Sequence, residues 1–199
     1  MAKGYKEAME DRRSIYGICD ESPISAEEIL EIVDHSTKHV PSAFNSQSQR
    51  VAVLFGERHL EFWGIVMETL RKIILADDFR ATEKKINGFA AGCGTLLFYD
   101  DTSVTKGLMD RFMPYKESFP IWAEQSNGML QFAIWSQLEA EGLGATIQHY
   151  NPIIDKEVKN AFNIPSAWRL IAQMPFGAPT EEPIQKEFVP IEKRVIVIE

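Results

Sequence analysis

The chain has 199 residues, of which 45% are hydrophobic and 25% are charged, and its formal net charge at pH 7 is -8. This length suits one well-buried core, so we expect a single domain over residues 1–199. The negative charge argues against nucleic acid or an anionic membrane as a partner, because both attract a basic surface.

The apolar stretches of the sequence are short and its cysteines are few. LQFAIW and similar runs fall far short of the roughly 20 apolar residues that cross a bilayer, and the opening MAKGYKEAMEDRR lacks the apolar core of a signal peptide. Cys19 and Cys93 match neither a disulfide framework nor a zinc-ligand set, which favours structural thiols in a reducing compartment. These features predict a cytoplasmic protein.

The first third of the chain predicts two helices and then a strand. A segment of helical composition from Tyr5 to about Arg12 leads into RRSIY, and the following GICDESP is turn-rich. Ser25 and Glu28 form a capping-box pattern ahead of the second helix, which we expect to end near His39. The polar stretch PSAFNSQSQR favours a loop, and it leads into VAVLFG, a run typical of a buried strand.

The middle of the chain predicts helices around a second strand. From Arg58 onward apolar residues recur at helical spacing, which indicates a long amphipathic helix, and the charged stretch DDFRATEKK follows. GTLLFYDD predicts a strand, and DRFMPYKESFP predicts an irregular segment that gathers aromatic residues. The next helix, from about Ile121 to Glu141, carries more apolar residues than one packing face needs. We therefore expect it in the centre of the core or at a subunit interface.

The last third predicts strands, a short helix and an extended arm. Gly142 and Gly144 suit a helix end, ATIQHY beyond them indicates a strand, and a helix over residues 155–162 precedes the strand WRLIAQMPFG. The final RVIVIE also has the composition of a strand, and the proline-rich stretch APTEEPIQKEFVPIEK before it suits an arm that pairs with another chain. Helices grouped around several strands, without strict βαβ alternation, indicate an α+β fold.

Several familiar motifs are missing from the sequence. It has no Gly-x-Gly-x-x-Gly after a strand, no Walker-type loop and no Gly-x-Ser-x-Gly elbow. His35 and His39 lie four residues apart on one helical face and could share a metal, but no third ligand follows at a readable spacing. A solvated helix end is the simpler interpretation of this pair.

Two polar motifs are ambiguous when each is taken alone. Arg12, Arg13 and Ser14 can bind a phosphate through guanidinium and hydroxyl donors, or can form a solvated basic helix end. The loop SAFNSQ supplies hydroxyl and amide groups that can bind the edge of a heterocycle or satisfy their own turn.

Together, RRSIY and PSAFNSQ resemble the two N-terminal signatures of the nitroreductase family of flavoproteins. PSAFNSQSQR, GTLLFYDD, WAEQSNGM and EGLGATIQHYNP are similar, more closely, to the smaller nitroreductase-like subgroup of bacteria and fungi. The resemblance covers essentially the whole chain. It implies the nitroreductase fold, a central and mostly antiparallel sheet flanked by helices, with a C-terminal arm that pairs with the partner subunit. It also implies a homodimer with FMN at the subunit interface.

The resemblance assigns FMN-binding roles to particular residues. Arg12 and Ser14 would hold phosphate and ribityl oxygens, with Arg13 assisting. Main-chain groups of Gln148 and His149 would contact the flavin ring near N5. Side chains of the loop residues Ser42, Asn45 and Gln47 would reach the flavin, and those of Ser42 and Asn45 would come from the partner subunit. The basic residues Lys193 and Arg194 would close on the phosphate.

Tyr16 occupies a position where many members of the family have Lys or Arg. Such a cation lies near N1 and O2 of the flavin and favours the anionic reduced ring, whereas a tyrosine offers only a hydrogen bond, so we expect a lower reduction potential. Lys84 and Lys85 could approach the flavin edge instead, or could belong to a solvated charged helix. Ser48 and Gln49 replace the Pro-Trp that often follows the loop, which agrees with the subgroup.

The resemblance predicts an NAD(P)H-dependent oxidoreductase that uses FMN, with NADH or NADPH as co-substrate, to reduce small electron-poor aromatic acceptors. These are nitroaromatic or quinone-like molecules, and hydride transfer is ping-pong. Because the flavin supplies the chemistry, no catalytic side chain is assigned. Phe44, Phe119 and Trp122 could wall the acceptor pocket or could be ordinary core aromatics. The alternatives are a flavin-binding sensor or regulatory protein with incidental reductase activity, and a metal protein that uses the two helical histidines.

Overall fold

A computed structural model describes residues 3–199, apart from the side chain of Ala76. The helices are α1 (Tyr5–Asp11), α2 (Ala26–His39), α3 (Gly56–Arg71), α4 (Phe79–Ala90), α5 (Thr102–Arg111), α6 (Phe119–Ala140) and α7 (Asp155–Phe162). The strands are β1 (Ile18–Cys19), β2 (Gln49–Phe55), β3 (Gly94–Asp101), β4 (Gly144–Ala145) and β5 (Trp168–Pro179). The predicted α+β class is confirmed. Nowhere in residues 3–199 is there a helix with the length and apolarity needed to span a membrane.

The strands form one sheet in which every ladder is antiparallel. The order is β1-β5-β3-β2, and β4 pairs with β5. Helices cover both faces of β3, so side chains along this strand are buried on either side. Leu96 and Phe98 pack in one core cluster with α2 and α6, whereas Leu97 and Tyr99 pack in the other with α3, α4 and α7, as the alternation of a strand requires.

The predicted capping box at the start of α2 is confirmed. The Ser25 hydroxyl accepts from the Glu28 N–H at 3.2 Å, and the Glu28 carboxylate accepts from the Ser25 N–H at 2.8 Å. Two otherwise unpaired N–H groups are thereby satisfied, and the helix ends at His39, as predicted.

The long helix α6 is apolar on more than one face. Leu130, Ile134 and Leu138 are fully buried in the core, whereas Ile121 and Met129 remain 57% and 44% exposed. A single chain therefore buries one side of α6 and leaves part of its apolar surface uncovered.

Three segments differ from the prediction. Helix α5 was not predicted, and its last two residues begin the segment DRFMPYKESFP that was expected to be irregular. ATIQHY forms a strand only at Ala145, followed by one isolated bridge from Gln148 to Gln173. The strand predicted at RVIVIE is wrong for the single chain: Ile196 and Ile198 are 83% and 92% exposed, because no strand of the described chain lies beside them.

Candidate functional site

The N-terminal motif and the segment that follows α6 lie side by side. Ser14 forms a parallel bridge with Ala145, and the Ile15 N–H donates to the Ala145 oxygen at 3.0 Å. Ala145 belongs to β4, which pairs with β5. RRSIY and ATIQHY, remote in the sequence, therefore form one continuous surface, and the structure brings the predicted residues of both motifs together.

Arg12 is a half-buried cation at the end of α1. Its guanidinium lies over the Trp135 ring, with 4.2 Å between Cζ and the ring centroid, and Phe132 lies 5.9 Å away. Within the described residues its buried Nε has no hydrogen-bond partner. Burial lowers the pKa of Arg12 below its ordinary value, and the neighbouring Arg13 acts in the same direction. A desolvated guanidinium with an unused N–H suits an anionic ligand.

The first residues of the C-terminal arm are fastened to RRSIYG. Arg13 donates to the main-chain oxygen of Ile184, and the Gly17 N–H donates to the Glu181 carboxylate at 2.8 Å. Lys193 and Arg194 lie further along the arm, where both are exposed and neither forms an ion pair with another described residue.

Gln148 and His149, which were predicted to contact the flavin ring through main-chain groups, direct those groups to different sides. The Gln148 N–H donates to the Gln173 oxygen at 2.7 Å, and the Gln173 N–H donates to the Gln148 oxygen at 2.9 Å. Because main-chain groups alternate along an extended strand, those of His149 turn away from β5, and its side chain is exposed. Gln148 has thus already used its N–H, which leaves that of His149 for a ligand.

Tyr16 lies near Tyr150, and it shares a neighbouring aromatic ring with a lysine. Its ring centroid is 6.2 Å from that of Phe89, and the Lys85 Nζ lies 5.6 Å from the same Phe89 ring. Burial raises the pKa of Tyr150 to about 12, and the nearby Tyr16 adds to this effect. Lys84 and Lys85 are both exposed on α4. Tyr150 was missed in the sequence, although it directly follows TIQH.

The loop between α2 and β2 has an unusual main chain. Phe44, Asn45 and Gln47 have φ angles of 57°, 50° and 47°, in a region that residues with side chains rarely adopt. The Gln47 N–H donates to the Ser42 hydroxyl at 2.9 Å, and the Arg50 guanidinium donates to the Gln47 oxygen at 2.7 Å. Several such residues in one short loop are typical of a functional site.

Arg50 links this loop to the sheet. Its guanidinium also donates to the Gln49 oxygen at 2.9 Å and to the Asp101 carboxylate at 3.0 Å. Burial opposes ionisation of Asp101, but hydrogen bonds from Ser103 and Arg50 hold the pKa of this carboxyl below its ordinary value. No local pattern identified Arg50 in the sequence, because its partner Asp101 lies on another strand.

Aromatic side chains surround the same loop. The Phe44 and Trp122 rings are nearly parallel, at 19°, with centroids 6.0 Å apart, and a groove of about 340 Å³ runs beside them toward Met129. Phe44 is 51% exposed, whereas Phe119 is 2% exposed and belongs to the core. Of the three predicted pocket walls, only Phe44 and Trp122 therefore line the groove. Further rings close to Phe44 are Phe112 and Tyr115.

The two polar motifs lie at opposite ends of α6. Phe44 packs on Trp122 and Arg12 packs on Trp135. With a helical rise of about 1.5 Å per residue, these two tryptophans are about 20 Å apart. Within one chain, the RRS and SAFNSQ motifs therefore pack against opposite parts of the same helix.

The two histidines singled out in the sequence are neighbours at the surface. The ring centroids of His35 and His39 are 4.6 Å apart on α2, and both side chains are exposed. No group of three or more His, Cys, Asp or Glu side chains in the described part of the chain is arranged to hold a metal.

Both cysteines are free and half-buried beside β5. The Cys19 thiol donates to the Ala178 oxygen at 3.6 Å, and the Cys93 thiol donates to the Phe176 oxygen at 3.5 Å. Burial raises the pKa of Cys93 to about 11. A thiol with so high a pKa is a packing group rather than a nucleophile at neutral pH.

Comparison with known proteins gives concordant matches. The model of the Nitroreductase family matches residues 9–178. The Saccharomyces cerevisiae protein HBN1 is 33% identical over 93% of this chain and 93% of its own length. Nitroreductase CinD from Lactococcus lactis, in complexes with chloramphenicol and 4-nitrophenol, is 34% identical, with TM-scores of 0.91 and 0.90 over 98% of this chain and 100% of CinD. A Desulfovibrio desulfuricans protein solved with FMN shares the fold, with a TM-score of 0.72 at 16% identity over 100% of this chain and 99% of its own.

Proposed function

Because the chain belongs to the Nitroreductase family, we propose that it is an FMN-dependent oxidoreductase that uses NADH or NADPH to reduce nitroaromatic or quinone-like acceptors. When bound, FMN would supply the hydride-transfer chemistry, with the nicotinamide and the acceptor occupying the same place in turn, a ping-pong sequence. The FMN complex of the Desulfovibrio desulfuricans protein supports the cofactor, and the 4-nitrophenol complex of CinD supports the acceptor class.

The observation that carries the proposal is the unsatisfied guanidinium of Arg12. Its buried Nε lacks a partner among residues 3–199, and its charge is desolvated beside Trp135 and the second cation Arg13, with Glu139 only partly offsetting these effects. A phosphate group would supply both the acceptor oxygens and the compensating negative charge. Ser14, exposed beside Arg13, adds a hydroxyl for phosphate or ribityl oxygens, and Lys193 and Arg194 would close over the phosphate from the arm.

Two chains are needed to complete the proposed site. Arg12 and the loop around Phe44 pack near opposite ends of α6, on two tryptophans about 20 Å apart, so we assign Ser42 and Asn45 to the FMN of the partner subunit, with Gln47 beside them. The exposed apolar face of α6 and the arm residues Ile196 and Ile198 supply surface for such a homodimer. Size-exclusion chromatography with light scattering should give a dimer for the wild type and a monomer for I196D/I198D.

The flavin ring would lie along the segment that ends at Tyr150. The outward N–H of His149 would donate to the ring near N5, and the Tyr16 hydroxyl would reach the opposite edge of the ring system. Lys85 shares the Phe89 ring with Tyr16 and is the lysine of α4 that would approach this edge of the flavin.

The acceptor would lie in the groove formed by the partner's loop. Phe44 and Trp122 present nearly parallel rings beside the groove, and flat aromatic molecules bind between or against such rings. The strained main chain at Phe44 keeps its ring at the surface, where a ligand can reach it.

The test begins with the absorption spectrum of the purified protein, followed by NADH and NADPH oxidation with 4-nitrophenol and a benzoquinone. The proposal predicts a yellow protein, turnover with at least one acceptor, and parallel double-reciprocal plots. A colourless protein that takes up no added FMN would overturn it.

A flavin-binding sensor is the second candidate, because it would need the same FMN site. A yellow protein that turns over none of these acceptors would favour the sensor. Stoichiometric metal without flavin would favour the histidine pair on α2 instead. A cytoplasmic location remains a prediction from the sequence.

A further inference from the structure

We propose that Gln173 is a positioning residue of the cofactor site, which fixes the direction of the His149 main-chain N–H and the place of the Tyr150 ring. This inference rests on the proposed FMN site. Gln173 lies in the middle of β5, is fully buried, and belongs to none of the motifs that the sequence presented.

The main chain of Gln173 holds the residue before His149. The two hydrogen bonds exchanged with Gln148, at 2.7 and 2.9 Å, form an isolated antiparallel bridge. The Gln148 side chain is buried as well, and its amide donates to the Thr146 hydroxyl at 3.2 Å. The peptide before His149 therefore cannot rotate without breaking buried hydrogen bonds.

The side chain of Gln173 holds the residues after His149. Its Oε1 accepts from the Tyr150 N–H at 2.8 Å, and its Nε2 donates to the Asn151 side-chain oxygen at 3.1 Å. A regular ladder would place Tyr150 opposite Ile171, but β5 is irregular there, because its register with β3 shifts between Phe98 and Tyr99. The Gln173 amide thus replaces main-chain pairing at the point where that pairing ends.

His149 is consequently held from both sides by one buried residue. With Gln148 and Tyr150 both turned toward Gln173, the His149 N–H is directed away from β5. The Tyr150 ring packs edge-on against Trp63, with centroids 6.0 Å apart, and lies near Tyr16. A change at Gln173 would therefore displace the N5 donor and the Tyr150 ring together.

Two substitutions separate positioning from simple packing. Q173L removes both side-chain hydrogen bonds, while leucine keeps a side chain of similar size. Q173E keeps both while its carboxyl is protonated, which burial favours, and loses the donor to Asn151 when it ionises at higher pH. The matched control is Q131L, because Gln131 is also buried and also donates to an asparagine, Asn127, at 2.7 Å.

Three measurements are made on each purified protein: FMN affinity by fluorescence quenching, midpoint potential of the bound FMN, and hydrogen exchange of the Tyr150 amide in the apoprotein. For Q173L we expect the dissociation constant to rise by about tenfold or more and the Tyr150 amide to exchange at least about tenfold faster. For Q173E we expect near wild-type affinity at pH 6 and a loss of similar size at pH 9. The midpoint potential should shift in Q173L and stay constant in Q131L.

Unchanged FMN affinity, potential and Tyr150 exchange in Q173L would overturn the inference. If Q173L does not fold, Q173E provides the test. An FMN affinity of Q173E with the same pH dependence as that of the wild type would overturn the inference. A wild-type protein that binds no FMN would overturn the proposed function, and Tyr150 exchange in apo Q173L would still show whether Gln173 holds this segment.

Discussion

The guanidinium of Arg12 lies over the indole of Trp135, 4.2 Å from Cζ to the ring centroid, although the two residues are on different helical segments. Cation–π contact and burial hold the side chain in one orientation before any ligand arrives. Nearby, Lys3 binds both Asp11 at 2.9 Å and Glu139 at 2.8 Å, which joins the end of α1 to α6. The predicted phosphate donor is therefore pre-positioned by the fold.

Arg12→Ala should abolish tight FMN binding, and Arg12→Lys should weaken it. Loss of a charged donor to phosphate costs about 1.5–3 kcal/mol, which corresponds to a rise of about 10- to 150-fold in the dissociation constant. Lysine keeps the charge but lacks the planar group that stacks on Trp135, so an intermediate value is expected. Fluorescence titration with FMN measures the dissociation constants of both variants. The control is Arg58→Ala, which changes an exposed arginine of α3. Equal affinities in wild type and R12A would refute the phosphate site.

Arg50→Met should loosen the loop that carries Phe44. The substitution removes hydrogen bonds to Gln47, Gln49 and Asp101 while keeping the apolar stem of the side chain. We expect the KM for a nitroaromatic acceptor to rise by about tenfold, with a smaller change in kcat, because binding geometry rather than chemistry is affected. The control is Arg58→Met, which breaks an exposed ion pair with Glu61. The same KM in both variants would show that Arg50 does not support the loop.

Local signals predicted the elements that are built from local contacts. The capping box of Ser25 and Glu28 gave the start of α2, the apolar run GTLLFYDD gave all of β3, and residues 155–162 form α7. Strand β1 has two residues and exists only because it pairs with the end of β5, so no sequence window could reveal it. Phe44 at positive φ is equally non-local, because that conformation depends on tertiary packing around its ring.

The same distinction applies to the candidate site. Family resemblance indicated Arg12, Ser14 and the loop, whereas Gln173 and Tyr150 became visible only when the chain was folded. Their hydrogen bond joins residues on different segments, and a glutamine inside a strand carries no signature of that role.

Gly177→Ala should destabilise the protein strongly. An added Cβ would lie 2.1 Å from the Cys19 main-chain oxygen, and a carbonyl in the sheet cannot move aside as a flexible side chain can. Gly64→Ala is the matched control: nothing lies within 4 Å of its Cβ position in α3, so alanine should stabilise this helix by up to about 1 kcal/mol. Urea unfolding followed by circular dichroism compares the two. A Gly177→Ala protein as stable as wild type would mean that β1 does not pack against β5 as described.

His59 should make the folded state sensitive to mild acid. Its Nε2 lies 3.1 Å from the Ala90 oxygen, which can only accept, so Nε2 carries the hydrogen and Nδ1 accepts from the Thr95 hydroxyl at 2.8 Å. Burial lowers the pKa of His59 below its ordinary value of 6.5. The unfolded chain then binds a proton more readily than the folded chain, so this contribution to stability is complete above about pH 6.5 and decreases as the pH falls below that value.

His59→Gln tests this pH dependence, because glutamine keeps a donor and an acceptor but does not titrate. The difference between urea midpoints at pH 7.5 and pH 5 should be smaller in H59Q than in wild type. The control substitution of the exposed His39 by Gln should leave the difference between the two urea midpoints as it is in the wild type. A pH dependence of the same size in H59Q would assign the effect to another group.

Tyr16 and Lys85 should shift the flavin potential in opposite directions when each is substituted. Two unit charges about 5 Å apart at an effective dielectric constant of 20 interact by about 3 kcal/mol, which corresponds to about 60 mV for a two-electron couple. Tyr16 is 45% exposed and Lys85 is exposed, so solvent screening should reduce this to about 30 mV or less. Tyr16→Lys adds a cation that favours the anionic reduced ring and should raise the potential, whereas Lys85→Gln should lower it.

Lys84 provides the matched control for this pair of substitutions. Like Lys85 it is exposed, and it lies next to Lys85 on α4, but Lys85 is the one that contacts the Phe89 ring shared with Tyr16. Reductive titration of the FMN-loaded proteins against a reference dye measures each potential. If K84Q and K85Q shift the potential equally, only the net charge of α4 matters, and Lys85 does not supply the local charge that Tyr16 lacks. If K85Q alone lowers it, the arrangement around Phe89 accounts for how a site with a tyrosine at position 16 stabilises the reduced flavin.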